Sequence, residues 1–252
     1  MKDNFSTQAA DYSKFRPHYP PEMIAYIAYF VENKGMALDV ATGNGQVAEE
    51  LSKHFGHVFA TDISAKQLEN AAQAPNITYK VESAEKTAFA DAQFDLITVA
   101  QAIHWFDFEA FYKEVYRILK PDGIFAVMGY GLFFTNDESQ EIIKRFYEEI
   151  IGPYWDAERR YLDENYTTIP FPFEEKEVIS FNNSLTWSFE QLTGYLDTWS
   201  AVQHYIKKNN QNPIDIIREE LKESWAKNNG QVTFPLLLRI GSPLIPKGEL
   251  QK

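Results

Sequence analysis

Residues 37–46 read Ala-Leu-Asp-Val-Ala-Thr-Gly-Asn-Gly-Gln, and this stretch decides the fold. An apolar run carrying one acid, Asp39, breaks into Gly43 and Gly45, and apolar residues at helical spacing follow at once. The order predicts a strand, a tight turn and a helix N-terminus. Glycine lets a ligand lie against the main chain, and the N–H groups of a helix N-terminus attract anionic groups. The stretch therefore predicts a site for a nucleotide-like or amino-acid-like cofactor.

The composition narrows the function classes. The 252 residues can bury a large core, no apolar run is long enough to cross a bilayer, and the first residues lack the apolar centre of a signal peptide. Cys is absent, which excludes disulfides and thiolate zinc sites and fits the cytoplasmic location that we expect. The net charge is -12 and no basic face is visible, so we expect neither a nucleic-acid nor a membrane partner.

Strand and helix patterns alternate from residue 20 to residue 130. A helix is predicted from Pro20 to about Asn33, and Asp107 is predicted to cap another. Ser64 is predicted to begin a helix in which Gln67 completes a Ser-x-x-Gln capping box. Five βα repeats in about a hundred residues predict a parallel sheet with helices on both faces. The predicted strands are Met36–Val40, His57–Thr61, Ile77–Val81, Phe94–Val99 and Ile124–Met128, the last entered through a turn at 121–123.

The regular alternation of strand and helix patterns ends after residue 131. Residues 137–150 and 188–227 read as helical, a candidate strand begins at Glu177, and Gln231–Ile240 reads as a final strand. Pro235 suggests that this last strand lies near a sheet edge or bulge. Two late strands are thus expected to complete the sheet, with a helical cap inserted around them.

Residues 43–48 also fit the dinucleotide pattern G-x-G-x-x-A. Three features argue against NAD. Asp39 lies in a strand that dinucleotide sites usually keep apolar, Ala41 and Thr42 separate that strand from the first glycine, and no second mononucleotide-binding half is visible. An NAD-dependent dehydrogenase is therefore the weakest alternative.

The stretch around Asp39 resembles motif I of the class I S-adenosylmethionine-dependent methyltransferases, usually Leu-Asp-x-Gly-Cys-Gly-x-Gly. Asp62 ends the second strand, where that family places an acid on the ribose hydroxyls. Residues 83–85 follow the third strand, at the loop that borders the adenine, and residues 119–123 resemble the family's Leu-Lys-Pro-Gly-Gly turn. The match covers about residues 36–130, and its specificity comes from order and spacing together.

Residues 12–20 and 100–106 are similar to small-molecule methyltransferases grouped with trans-aconitate methyltransferase, which carry a type 11 methyltransferase domain. The resemblance implies a Rossmann-like, doubly wound α/β sheet of seven strands, mostly parallel with one late antiparallel strand, and a helical cap insertion. It divides the single domain 1–252 as follows: an N-terminal arm over the cofactor at 1–19, an S-adenosylmethionine-binding core at 36–130, a variable substrate cap at 131–230 and a final strand at 231–240.

The resemblance also assigns the cofactor site. Asp62 is expected to bind the ribose hydroxyls, and the alternative is that it only caps a helix. Asp39 is expected to order the glycine turn. Ala41 replaces the family's first glycine and is expected to keep a negative φ. Ser83 replaces an acid that often accepts the adenine amino group, so weaker affinity is expected. The implied S-adenosylmethionine contacts are Asp39, Ala41, Thr42, Gly43, Asn44, Gly45, Asp62, Ile63, Ser83, Ala84, Glu85, Ala100 and Gln101.

The acceptor side is less specific. His104, the candidate catalytic residue, either orients an anionic substrate, takes a proton or is a hydrogen-bonded loop histidine. Trp105 packs on the reacting groups or in the core. Tyr12, Arg16 and Tyr19 of the arm are further candidate substrate residues, with Arg16 pairing a carboxylate or lying on the surface. Arg159-Arg160 in the cap is a weaker candidate for binding an acidic substrate.

The predicted activity is O-methylation of a small, acidic metabolite by in-line displacement, in a monomer or homodimer without a metal. A carboxylate acceptor is ionised at neutral pH and needs no base, and no Asp–His or Glu–His base pair is evident. Two alternatives stay open. One is C-methylation of a quinone-like or lipid-like acceptor, and the other is a non-catalytic S-adenosylmethionine-binding protein.

Overall fold

A mixed sheet with helices on both faces organises the computed structural model, which describes residues 15–135, 137–227 and 229–244. Within these residues the sheet has eight strands, in the order β3-β2-β1-β4-β5-β8-β6, and β7 also pairs with β8. The strands are β1 Met36–Val40, β2 His57–Asp62, β3 Ile77–Val81, β4 Phe94–Ala100, β5 Leu119–Tyr130, β6 Glu174–Glu175, β7 Phe181–Thr186 and β8 Gln231–Ser242.

The strand directions confirm the predicted architecture. β1 to β5 pair in parallel, and β8 pairs antiparallel with β5, β6 and β7, so the one strand that opposes the others is the late one. The strand predicted from Glu177 begins later, as β7 at Phe181, and the short β6 at Glu174–Glu175 was not predicted, which raises the count of described strands from seven to eight.

The helices are close to their predicted positions. The first ends at Tyr29 and not at Asn33, because the N–H groups of Phe30 and Val31 bond three residues back and tighten the turn. Asp107 caps its helix as predicted, by accepting the N–H of Ala110. The described helices are α1 Pro21–Tyr29, α2 Gln46–Ser52, α3 Ala65–Glu69, α4 Phe108–Ile118, α5 Asp137–Arg145, α6 Arg160–Asp163, α7 Phe189–Asp197, α8 Ser200–Asn209 and α9 Ile214–Lys227.

The sheet separates two apolar clusters. Alternate residues of β1 join opposite clusters, Ala37 on one side and Leu38 with Val40 on the other, as the strand period of two requires. Helices α1, α2 and α7 to α9 pack on the Ala37 side, and α4 packs on the Leu38 side. β4 is buried along its length except at Ala100, which confirms it as a central strand.

One local prediction was wrong. Pro121 and Gly123 were expected in a turn before β5, but they lie inside it, because Leu119 already pairs with Phe94 and a register shift absorbs the intervening residues. β8 is an internal strand, but at Pro235, where an edge or bulge was expected, it pairs only with Asn182 of β7. Proline is tolerated there because the pairing of β8 with β5 ends one residue away, at Leu236.

Among the described residues, no helix is both long enough and apolar enough to cross a membrane.

Candidate active site

A pocket, here called the main pocket, opens at the carboxyl ends of β1, β2, β4 and β5, where parallel sheets bind ligands. Residues of the segment before α1 close one side of it. The predicted cofactor-binding residues that line it are Asp39, Ala41, Thr42, Gly43, Asn44, Asp62, Ile63, Ala100 and Gln101.

Asp39 is a buried carboxylate in the wall of this pocket. Its Oδ2 accepts the Thr42 hydroxyl at 2.5 Å, and its Oδ1 accepts the Thr98 hydroxyl at 2.8 Å. Burial raises the pKa of Asp39 to about 6, against the lowering effect of the two hydroxyls. The threonine that replaces the motif's cysteine thus ties the glycine turn to this acid.

The turn after β1 contains a left-handed alanine. Ala41 has a φ of 54°, so the expected negative φ is wrong. The Cβ of an L-residue is crowded in this region, at a cost of about 1–2 kcal/mol. Gln101, which follows β4, also has a φ of 54°. Two adjacent strands therefore end in strained residues at one pocket, as is common at functional sites.

The two glycines of the turn have different roles. A Cβ on Gly43 would meet nothing within 4 Å, and its φ is 58°, so bare main chain faces open space at the pocket. Gly45 lies outside the pocket lining, and a Cβ there would clash with the Tyr79 hydroxyl. Gly45 therefore makes room for Tyr79, and its contact with a cofactor stays a prediction.

Asp62 holds the next part of the pocket together. Its Oδ2 accepts the N–H of Gly43 at 2.9 Å, and its Oδ1 accepts the N–H of Ser64 at 2.8 Å. The carboxylate therefore holds the glycine turn and the residue that caps α3, Ser64, while it also lines the pocket.

The loop at 83–85 lies outside the main pocket lining. The Ser83 hydroxyl donates to the Glu85 carboxylate, and the Glu85 N–H donates back to Ser83 Oγ at 3.3 Å. Ala84 is buried. The polar side chains of the loop thus engage one another, and the predicted contacts of Ser83, Ala84 and Glu85 with an adenine stay predictions.

A strap of residues 15–20 lines one side of the main pocket, through Arg16, Pro17 and Tyr19. Arg16 donates to the Tyr130 hydroxyl at 3.3 Å and to the Thr198 carbonyl at 3.1 Å, and its guanidinium lies 5.2 Å from the Tyr195 ring centroid. Tyr19 is buried in the pocket wall. Tyr12 lies outside the described residues.

A second cavity, here called the side chamber, adjoins the main pocket. Arg16, Gln101 and Trp105 line both cavities and form the shared wall. The remaining lining comes from the segment after β4 and from the predicted cap: His104, Trp155, Asp156, Arg159, Leu162, Trp199 and Ser200.

Arg159 is the best-positioned cation of the side chamber. Its guanidinium lies 4.7 Å from the Trp155 ring centroid and 5.2 Å from that of Tyr147, and its side chain is 14% exposed. Nε donates to the Tyr147 hydroxyl at 2.7 Å and to Asp163 at 3.2 Å. Within the described part of the chain, neither terminal nitrogen makes a hydrogen bond. The guanidinium is therefore fixed in place with two donor groups available.

His104 lies in the wall of the side chamber as a neutral imidazole. Burial, reinforced by the charges of Arg159 and Arg16, lowers its pKa to about 3. Its Nδ1 is 3.1 Å from the Tyr166 hydroxyl, and Trp105 packs 4.9 Å from its ring. An imidazole with so low a pKa is a poor proton acceptor at neutral pH, so its position suits hydrogen bonding better than base catalysis.

Gln101 connects the two sheet strands that support the shared wall. Its Oε1 accepts the N–H of Tyr130 at 2.8 Å, and its Nε2 donates to the Tyr130 carbonyl at 3.2 Å. These bonds fix the end of β4 against the end of β5. Gln101 lies at the pocket as predicted, and its side-chain amide hydrogen-bonds to the main chain of Tyr130.

Several lining residues were not predicted. Tyr130 follows the same rule as Ala100, since it ends a parallel strand, and that signal was available. Gln67 was interpreted only as part of a Ser-x-x-Gln capping box. Trp155 follows no local pattern, and Arg159 was predicted only as one member of the Arg159-Arg160 pair. Among the described residues, no group of His, Asp and Glu side chains could hold a metal ion.

Known proteins that resemble this chain include methyltransferases. The family model of the methyltransferase domain matches residues 38–127. A candidate methyltransferase of Dictyostelium discoideum is 34% identical, over 94% of this chain and 93% of that protein. An uncharacterised methyltransferase of Schizosaccharomyces pombe is 24% identical, over 92% and 93%. The solved structure of a candidate type II methyltransferase of Anaeromyxobacter dehalogenans aligns with a TM-score of 0.83 at 33% identity, covering 91% of this chain and 100% of that chain.

Proposed function

The chain belongs to the S-adenosylmethionine-dependent methyltransferases, and from this membership we propose that it O-methylates a small carboxylic acid. The observation that carries the proposal is the guanidinium of Arg159, which is fixed in the side chamber with both terminal nitrogens open. Two parallel N–H donors are the geometry that binds a carboxylate bidentately.

The main pocket fits the cofactor of the family. Gly43 leaves bare main chain at the pocket, Asp62 presents carboxylate lone pairs, and Asp39 adds a buried acid that matches a cationic ligand. These residues, with Ile63 as an exposed apolar surface for the base, would hold S-adenosylmethionine. When bound, it supplies a methyl group on a positively charged sulfur.

The arrangement of the two cavities supports an anionic acceptor. Arg16 lies in the shared wall and Arg159 lies beyond it, so an acid in the side chamber would meet positive charge along its path. Trp105 and Trp155 add flat apolar surfaces that exclude water from a small ligand. Asp156 also lines the chamber, and its Oδ2 is 3.8 Å from Nδ1 of His204.

The chemistry of the chamber suits an acceptor that needs no base. A carboxylate is ionised at neutral pH, whereas a phenol, an amine or a carbon acid must lose a proton. His104 is a weak base here because its pKa is about 3. Neutral His104 is suited to orienting the acceptor by a hydrogen bond. This weighs against C-methylation of a quinone-like acceptor.

The test uses purified protein, S-adenosylmethionine labelled in the methyl group, and panels of small carboxylic acids, phenols and quinone precursors. We expect label in a carboxylic acid, released by mild alkali because the product is an ester. Arg159→Met should raise the acceptor KM by roughly 10- to 100-fold, the size expected for losing charged hydrogen bonds, and leave cofactor affinity unchanged.

Arg160→Met is the matched control. Arg160 is the neighbouring residue, but its guanidinium lies over the Tyr161 ring and outside the side chamber, so KM should not change. Alkali-stable label in a quinone precursor would favour C-methylation. Cofactor binding without transfer to any acceptor would favour a non-catalytic binding protein.

A further inference from the structure

A buried amide in the main pocket has no hydrogen-bond partner for its oxygen. Gln67 is 4% exposed, and its Oε1 accepts no hydrogen bond from the residues that the structure describes. The Ser-x-x-Gln pattern predicted a capping box, in which this side chain would accept the Ser64 N–H. That N–H instead donates to Asp62, and only the bond from the Gln67 N–H to Ser64 Oγ forms, at 3.4 Å.

A buried acceptor left without a donor costs about 1–3 kcal/mol, and most buried polar groups in native proteins have a partner. Gln67 lines the main pocket on the same wall as Asp62, Ile63 and Ser64. A ligand bound in this pocket is therefore a candidate source of the missing donor.

The ribose of S-adenosylmethionine carries two neighbouring hydroxyls, and each has one hydrogen to donate. Both carboxylate oxygens of Asp62 already accept one backbone N–H each, from Gly43 and Ser64. We propose that Gln67 and Asp62 divide the two hydroxyls, with Gln67 Oε1 accepting one and Asp62 the other. The inference depends on the family's cofactor and is independent of the acceptor proposed above.

Calorimetric titration with S-adenosylhomocysteine tests this inference without turnover. Gln67→Met keeps the size of the side chain and removes its acceptor, and we expect about a tenfold weaker Kd, equivalent to one hydrogen bond. Gln73→Met is the matched control, since Gln73 donates to the Ala71 carbonyl outside the pocket lining, and its Kd should equal that of the parent protein. The thermal midpoint of cofactor-free Gln67→Met should not fall, because no bond to its oxygen is lost.

The 2′-deoxy and 3′-deoxy analogues of S-adenosylhomocysteine identify the hydroxyl. The parent protein and Gln67→Met should bind one of these two analogues with equal affinity. Removing the hydroxyl and removing its acceptor each abolish the same hydrogen bond, so the second removal has no further effect. An unchanged Kd for Gln67→Met with S-adenosylhomocysteine would overturn the inference. So would an equal loss for all three ligands, with or without a lower midpoint, because that pattern indicates a role in pocket shape alone.

Discussion

The main pocket and the side chamber share a wall but differ in their balance of charge. The main pocket is lined by two acids, Asp39 and Asp62, with Arg16, whereas the side chamber is lined by Arg16 and Arg159 with one acid, Asp156. A cationic methyl donor would match the acids of the main pocket, and the proposed anionic acceptor would match the excess of basic side chains in the side chamber. The contrast supports the proposal that each reactant has its own cavity.

The two cavities also differ in construction. The main pocket is made of strand ends and turns, where the main chain itself presents the binding groups. The side chamber is made of long side chains whose positions depend on stacking, as Arg159 depends on Trp155 and Tyr147. The first construction depends mainly on the main chain, and the second depends on the identity of individual side chains.

The largest expected effect concerns the buried acid of the main pocket. The folded-state pKa of Asp39 is about 6, above its ordinary value of 3.8, so the native state binds a proton more tightly than the unfolded state. The contribution of Asp39 to stability is therefore present at about pH 4 and is lost as the pH rises through 6. Two pKa units correspond to about 3 kcal/mol.

Urea unfolding of the cofactor-free protein and of Asp39→Asn, measured from about pH 4 to 7, tests this difference. The free energy of unfolding of Asp39→Asn should rise relative to the parent across this range, since the variant has no carboxyl to ionise. If the free energies of unfolding of the two proteins changed in parallel with pH, Asp39 would not have the raised pKa of a buried carboxylate.

The next effect should separate the two cavities. Asp62→Asn removes the charge that faces the cofactor, and we expect roughly 30-fold weaker binding of S-adenosylhomocysteine, about 2 kcal/mol for a charged hydrogen bond. The acceptor KM at saturating cofactor should be unchanged. Asp91→Asn, at a side chain that is 80% exposed, is the control. Equal changes in both constants would show that the cavities do not bind their ligands independently.

The smallest expected effect comes from a substitution that should change ligand binding in both cavities together. Phe15 of the strap lies against Gly194 in α7, where an added Cβ would be 2.5 Å from Cε1 and 2.6 Å from Cδ1 of the ring. Gly194→Ala favours the helix but displaces Phe15 and with it Arg16, which lines both cavities.

We expect Gly194→Ala to weaken cofactor binding and raise the acceptor KM together, each about fivefold, a loss of about 1 kcal/mol. Gly152→Ala is the control, since a Cβ there would meet only the Tyr147 carbonyl oxygen, at an ordinary 3.7 Å. A change in one constant alone would assign the strap to a single cavity.

The comparison also explains how far the sequence could be interpreted. The main pocket was predictable because its groups follow strand ends, so that the position of Asp62 or Ala100 along the chain fixes its place in space. The φ of Ala41 was predicted wrongly because the usual preference of alanine was trusted over the turn that its neighbours impose. Gln67 was missed because its local pattern had a sufficient explanation, the capping box.

The side chamber was not predictable in the same way. Trp155 and Trp199 lie in connecting segments, Arg159 ends a short 3-10 helix, and no periodicity in the sequence brings them together. The Arg159-Arg160 pair was noticed as a candidate for an acidic substrate, but only packing distinguishes the two. Arg159 lies between aromatic rings in the chamber, and Arg160 lies outside it.

The central place of β8 in the sheet has a consequence for the order in which the strands can pair during synthesis. Within the described sheet, β6 and β7 pair with no strand other than β8, which follows them by more than forty residues. During synthesis, the first five strands emerge well before β8, while the edge of β5 and both later strands stay without a partner. The closing of the described sheet therefore falls to β8, the latest of its strands along the chain.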